Sequence, residues 1–354
     1  MFTVRFYRMY DTGRDLDLDR LQEALARNIP TSRPAFERIK PRSILMASPP
    51  LQWRMDPVRA EQDGSVIDMA AFVRLYDIGV ISLCFVFENP GAQPGELERF
   101  GLAFAAQQGL DPLFEERLGS IQQILSAHIS GLNAETDFFE DYTIFTTDRM
   151  DDPADPLPLL LGDATPVAAQ VREETLKYTL SYSLQDRIIL SYDSSLICSP
   201  DPPNDLLDLL EYANVQVFEL RYYDRLLMRQ VEKMFDDIEH ADRMSWFRRM
   251  NQYHTIMGRV METNAEITDV IEKVNNLIKV TEDIHYARVY AKALSVFRAD
   301  QWSESVTRKI EMLRDNYSML SDEVRIQHSY FLEWVIIILI ALEFGFAIFE
   351  YLVL

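Results

Sequence analysis

Phe331-Leu-Glu-Trp-Val-Ile-Ile-Ile-Leu-Ile-Ala-Leu-Glu-Phe-Gly-Phe-Ala-Ile-Phe-Glu-Tyr-Leu-Val-Leu354 is the stretch on which the reading of this chain turns. A bilayer-spanning helix needs about 20 mostly apolar residues. Val335 to Leu354 supplies such a run, and Trp334 sits where an interfacial aromatic belongs. The expectation is a C-terminal transmembrane helix over 331–354. Glu343 falls near its middle and Glu350 one heptad later, so both point the same way. A charged group at that depth costs about 3 kcal/mol on insertion scales and needs protein or water beside it. Glu343 and Glu350 are therefore expected to make an intramembrane polar contact, as a clamp between self-associated tails or as part of an ion path. Glu333 and Trp334 are placed at the membrane interface.

Outward from that segment the chain becomes helical. All 16 prolines lie at or before Pro203. Proline breaks helix interiors, so residues 1–203 are expected to form a turn-rich mixed α/β soluble domain. Residues 204–330 are expected to form a long-helix, coiled-coil-like region. The junction is Cys198-Ser-Pro-Asp-Pro-Pro-Asn204. Beyond it, apolar residues step by four and three through Leu206, Leu210, Ala213, Val217 and Leu220, break at Asp224, and resume at Leu227, Val231, Met234 and Ile238. A second seam runs from Tyr253 to Leu277 and a third from Val306 to Phe331. Helices with so narrow a stripe must bury it on each other, which predicts hairpin packing within the chain or a homo-oligomer.

The first part carries strand signals at Phe2–Tyr10, at Phe72–Phe87 around Asp77-Ile-Gly79, at Tyr142–Thr147, and at Tyr178–Leu184 with Arg187–Ile197, the last two read as a hairpin turning at Gln185-Asp186. Helical stretches fall at Leu16–Arg27, Glu96–Gln108 and Leu113–His128. Strands interleaved with helices predict an α+β domain.

The formal charge of −21 excludes a general nucleic-acid binder, so no direct nucleic-acid contact is expected. The acidity is concentrated in residues 61–203, with 7 basic and 24 acidic groups, and reads as a solvated surface or a docking face for a basic partner. Two distant cysteines, Cys84 and Cys198, make neither a disulfide framework nor a thiolate metal site. The N-terminus has no apolar core segment and no acid-poor character, so neither a secretory signal nor a transit peptide is read there.

Motifs for chemistry are missing. No phosphate loop, dinucleotide-binding glycine pattern, nucleophile elbow or paired-histidine metal unit occurs. Glu239, His240 and Asp242 diverge around a helix and cannot all face one ion. Cys84 lies in an apolar strand and reads as buried filler. No catalytic, cofactor-binding or metal residues are assigned, no cofactor is expected, and the chain is expected not to be an enzyme.

Leu332-Glu-Trp-Val-Ile-Ile-Ile-Leu-Ile340 followed by Glu343, Tyr76-Asp-Ile-Gly-Val80, and Val217-Phe-Glu219 together resemble three motifs of the protein family required for meiotic nuclear division. The order and approximate spacing match over about residues 65–345. The Trp-Gly that usually follows the second motif is absent, where this chain reads Leu83-Cys-Phe-Val-Phe87. Ala213-Asn-Val-Gln216 replaces the usual small and basic residues. The resemblance implies a distant, bacterial member, anchored by a single pass in the inner membrane with its N-terminal domain in the cytoplasm. It also implies an oligomer and, from mitochondrial relatives, a ribosome-associated assembly. The function expected from all of this is a non-enzymatic, tail-anchored scaffold presenting an acidic domain to a protein partner. The alternative is an oligomeric ion channel or transport-associated subunit using Glu343.

Overall fold

The computed structural model describes residues 1–26, 29–34, 48–62, 64–129, 131–132, 134–241 and 284–353, with single positions at 258, 261, 265 and 268. The chain divides into two compact units. The first comprises Met1–Tyr222 with Val270–Trp302, the second Tyr223–Asp269 with Ser303–Leu354.

The first unit is built on an eight-stranded mixed sheet. Its strands are β1 (Phe2–Asp11), β2 (Leu51–Gln62), β3 (Ser65–Leu75), β4 (Val80–Asn89), β5 (Phe139–Thr147), β6 (Thr179–Leu180), β7 (Arg187–Leu190) and β8 (Ser194–Cys198). They lie in the order β2-β3-β4-β1-β5-β8-β7-β6, and only β5 and β8 run parallel. Strand β1 is central, and nine of its ten residues are buried, so both of its faces are covered. Pro57 is tolerated in β2 because that strand is an edge and its register with β3 slips between Met55 and Val58. The tight turn Tyr76–Gly79 joins β3 to β4, where Asp77-Ile-Gly79 predicts it. The segment Arg187–Ile197 differs from the expectation. It is two strands, β7 and β8, closed by the Ser191 N–H donating to Ser194 O at 2.8 Å, and only Thr179–Leu180 of the preceding stretch joins the sheet.

One face of the sheet packs under α1 (Leu18–Leu25), α2 (Glu96–Ala103), α3 (Asp111–Ser126) and α4 (Leu157–Leu161). The Asp17 carboxylate caps α1 by accepting from the Arg20 N–H at 3.0 Å. Helix α3 buries Phe114, Leu118, Ile121 and Leu125, one stripe at helical spacing. Phe2, Val4, Phe6 and Tyr10 of β1 point into the same core, and Phe85 stacks on Phe114 at 4.1 Å. Helix α5 (Ala169–Leu176) buries none of its residues. The opposite face meets the first half of α6 (Asn204–Ala241), and α7 (Ile284–Val296) joins it through the Tyr290 hydroxyl, which donates to Gln216 Oε1 at 2.5 Å.

In the second unit the remainder of α6 buries Leu227, Val231 and Met234, and α8 (Ala299–Val353) buries Val306, Ile310, Leu313 and Tyr317. Asp224, the break in the first seam, is occupied. It accepts from Ser305 Oγ at 2.7 Å and Lys309 Nζ at 2.6 Å, so the polar step is an interhelical pairing site. The seam Tyr253–Leu277 lies outside the described residues, as does the Glu239–Asp242 cluster in its side chains.

The transmembrane expectation is corrected. No helix among the described residues is long and apolar enough to cross a membrane. In the described part of α8, Glu333 and Glu343 put carboxylates on either side of the apolar run Val335–Leu342. The tail-anchored scaffold, the channel alternative and the single-pass placement in a bacterial inner membrane all rested on that span, and they fall with it.

Candidate functional site

Because side chains alternate along a strand, Thr3, Arg5, Tyr7, Met9 and Asp11 of β1 point away from the apolar core and toward α6. Tyr7, Met9 and Asp11 are buried there. Helix α6 answers with a polar row: Asp208, Glu211 and Glu219, with Asn214 and Gln216 beside it. Of these, Glu211, Asn214, Gln216 and Glu219 are at most 3% exposed. Buried polar groups need partners, so each one on this face calls for an account.

At one end of the row Arg74 of β3 is held firmly. Its Nε donates to Gln52 Oε1 at 3.0 Å, and its Nη1 to Asp208 at 2.7 Å and Glu211 at 2.6 Å. Beside it lies a cavity of about 200 Å3 lined by Arg5, Tyr7, Phe72, Ser82, Cys84 and Glu211, among others. Arg5 enters from β1 without a counterpart. Its Nε is sealed from solvent and meets no acceptor, and no carboxylate lies within ion-pair distance among the described residues. Ser82 and Tyr76 lie against the Glu211 carboxyl and hold it lower than burial alone would. Burial pushes the Glu211 carboxyl up, against the pull of Arg74. Burial also pushes the Cys84 thiol up to about 12, so it stays neutral near pH 7 and is no nucleophile. An arginine whose Nε is sealed from solvent without an acceptor, at the wall of a cavity, is an arrangement suited to an anion.

At the other end the chain turns a corner. The Thr12 N–H and hydroxyl both donate to Gly79 O, at 3.0 and 2.8 Å. Gly79 has φ +96°, and a Cβ there would lie 2.3 Å from Arg14 O, so only glycine fits. Asp11 accepts from the Gly13 N–H at 2.5 Å and lies against Glu219 and Tyr222. Burial raises its carboxyl from 3.8 to about 6, with Glu219, Gly13 and Tyr222 holding it lower than burial alone would. Two sequence motifs meet here: Gly79 of Tyr76–Val80 through Thr12, and Glu219 of Val217–Glu219 through Asp11.

The residues singled out from sequence lie elsewhere. Glu333 and Glu343 are exposed on α8, Trp334 is 64% exposed, and the side chain of Glu350 is outside the described set. Without a span, the intramembrane and interfacial roles read for them have no setting. Sequence reasoning missed Arg5, Arg74 and Glu211. For Arg5 the only signal was its place with Arg8 in the aromatic strand Phe2–Tyr10, which does not say which arginine is paired; Arg74 and Glu211 had none. Among the described residues no group of three His, Cys, Asp or Glu could hold a metal ion.

Residues 1–204 match the family described as "Uncharacterized protein MJ0711, N-terminal domain", and the chain belongs to that family. A relative from Methanocaldococcus jannaschii, described as "Uncharacterized protein MJ0711", is 25% identical over 244 residues, covering 65% of this chain and 72% of its own length. No solved structure matches. These likenesses support a family without an assigned function, and they bring in neither meiosis nor a membrane. The matched region ends where α6 begins, so it holds all eight strands.

Proposed function

We propose that the sheet domain is a non-enzymatic binding module that holds a small carboxylate in the chamber beneath α6. One observation carries this reading: Arg5 Nε, sealed from solvent and without an acceptor, lies at the wall of a cavity of about 200 Å3. That volume equals the share of roughly six or seven liquid waters. The charge count selects the class of anion. Arg5 and Arg74 balance Asp208 and Glu211 when both acids are ionised, and the cluster carries one positive charge when Glu211 takes up a proton. A monoanion completes it, whereas a phosphate dianion overshoots. Cys84 is held neutral, so binding without chemistry fits the chamber better than nucleophilic catalysis does.

Calorimetric titration of the full chain with acetate and with sulfate, a dianion from pH 5 to pH 8, tests this. Acetate should bind more tightly than sulfate, and Arg5→Met should abolish acetate binding. Because burial raises Glu211, its proton is held as pH falls, so acetate affinity should strengthen on going from pH 8 to pH 5. No heat and no thermal shift with millimolar acetate at pH 5 would sink the reading.

Kinship with the family required for meiotic nuclear division stays part of this proposal; the meeting of Tyr76–Val80 and Val217–Glu219 at one buried corner supports it. We also propose that copies of the chain associate. Met312, Met319, Ile326 and Tyr330 are 40–63% exposed on α8 at heptad-like spacing. Sedimentation should show a dimer or higher species that Met319→Lys with Ile326→Lys shifts toward monomer.

A further inference from the structure

Arg5 lines two chambers. A second chamber of about 300 Å3 is bounded by Thr3, Glu88, Thr146, Asp148 and the turn Ser199–Asn204 before α6. Its charge is opposite. Asp148 is engaged by the Met1 amine at 2.8 Å. Glu88 and Asp201 are exposed and have no ion-pair partner among the described residues. The partial positive charge at the start of α6 offsets only about half a unit of that. A ligand whose carboxylate sits on Arg5 therefore has its remainder in an acidic, hydroxyl-rich vestibule.

Strand register sets the scale. Thr3 of β1 pairs with Glu88 of β4, and Arg5 lies two residues further along on the same face. At about 3.4 Å per residue, the acidic rim stands roughly 7 Å from the guanidinium's row. Resting on the carboxylate-binding reading above, we propose that the ligand is a zwitterion. Its carboxylate is held inside by Arg5, and its ammonium group lies outside, between Glu88 and Asp201, with the two charges separated by several methylene groups.

Three probes applied to the full chain at low salt separate the possibilities: acetate, hexanoate and 6-aminohexanoate. Acetate reports the head alone, and hexanoate supplies length without the second charge. The expected result is 6-aminohexanoate binding about fivefold more tightly than hexanoate, the size of two exposed ion pairs. The gain should shrink as salt is added. In Glu88→Gln with Asp201→Asn, the ratio of the two affinities should fall to about one. Acetate binding with hexanoate equal to or tighter than 6-aminohexanoate would overturn the zwitterion and leave the carboxylate site standing. A gain that survives in the double variant would overturn it too. No binding of any probe would overturn both.

Discussion

Arg8 and Arg5 sit three residues apart on one strand, on opposite faces of one sheet. Arg8 is complete. Its Nε donates to Gln107 Oε1 at 3.1 Å, its Nη2 pairs with Asp111 at 2.6 Å, and its guanidinium lies 4.6 Å from the ring centres of both Phe114 and Phe139. Gln107 in turn donates to the carbonyls of Tyr7 and Tyr142, so the network closes on the backbone. Arg5 has a cavity where Arg8 has partners. A buried arginine stabilises a fold only when its donors are met. The proposed ligand takes up the donor that the Arg5 face leaves unmet.

The comparison breaks first at the backbone that shapes the polar face. Gly79→Ala should cost about 3 kcal/mol or more in urea unfolding, because both φ +96° and the 2.3 Å approach to Arg14 O forbid a Cβ. A cost below about 1 kcal/mol would mean that the corner adjusts freely. Arg8→Met should cost about 3 kcal/mol, since it leaves the buried Gln107 Oε1 without its donor and empties the space between two rings. Asp11→Asn should act through pH, at about 3 kcal/mol. The native carboxyl titrates near 6 and the unfolded one near 3.8, so the native state holds the proton more tightly. That contribution is full below about pH 4 and is lost as pH rises through 6. Asparagine cannot titrate, so urea midpoints measured from pH 4 to 7 should flatten in the variant. The smallest effect is the sharpest test. Arg5→Met should change stability by no more than about 1 kcal/mol, in either direction, because it removes a charge that has no partner to strand. Equal losses for Arg5→Met and Arg8→Met would erase the distinction between the two faces.

Much of the frame was legible in the sequence. The aromatic alternation of Phe2–Tyr10 marks β1, Asp77-Ile-Gly79 marks the turn before β4, and the four-three stepping after Leu206 marks α6. Strand β2 was not legible, because Asp56-Pro57 interrupts Leu51–Gln62 and the bulge that accommodates proline forms only against β3. Glu96–Gln108 reads as one helix but breaks at Phe104, with Ala106 and Gln107 at positive φ, and that break delivers Gln107 to Arg8. The candidate site was hidden for a related reason. Arg5, Arg74, Ser82 and Glu211 come from four elements, and nothing local marks any of them. The terminal apolar run misled in the opposite way. It is conspicuous in composition, yet no helix among the described residues is long and apolar enough to cross a membrane.

The sequence by itself determined where β1, the turn before β4 and α6 fall, because alternation, turn residues and heptad stepping act over a few residues. It also determined which residues of β1 share a face, since that follows from a period of two. Only the tertiary structure decided which of those residues find partners. Asp224 meets Lys309, Arg8 meets Asp111, and Arg5 meets empty space, and each outcome depends on what a distant part of the chain brings within about 3 Å, the range over which a hydrogen bond forms.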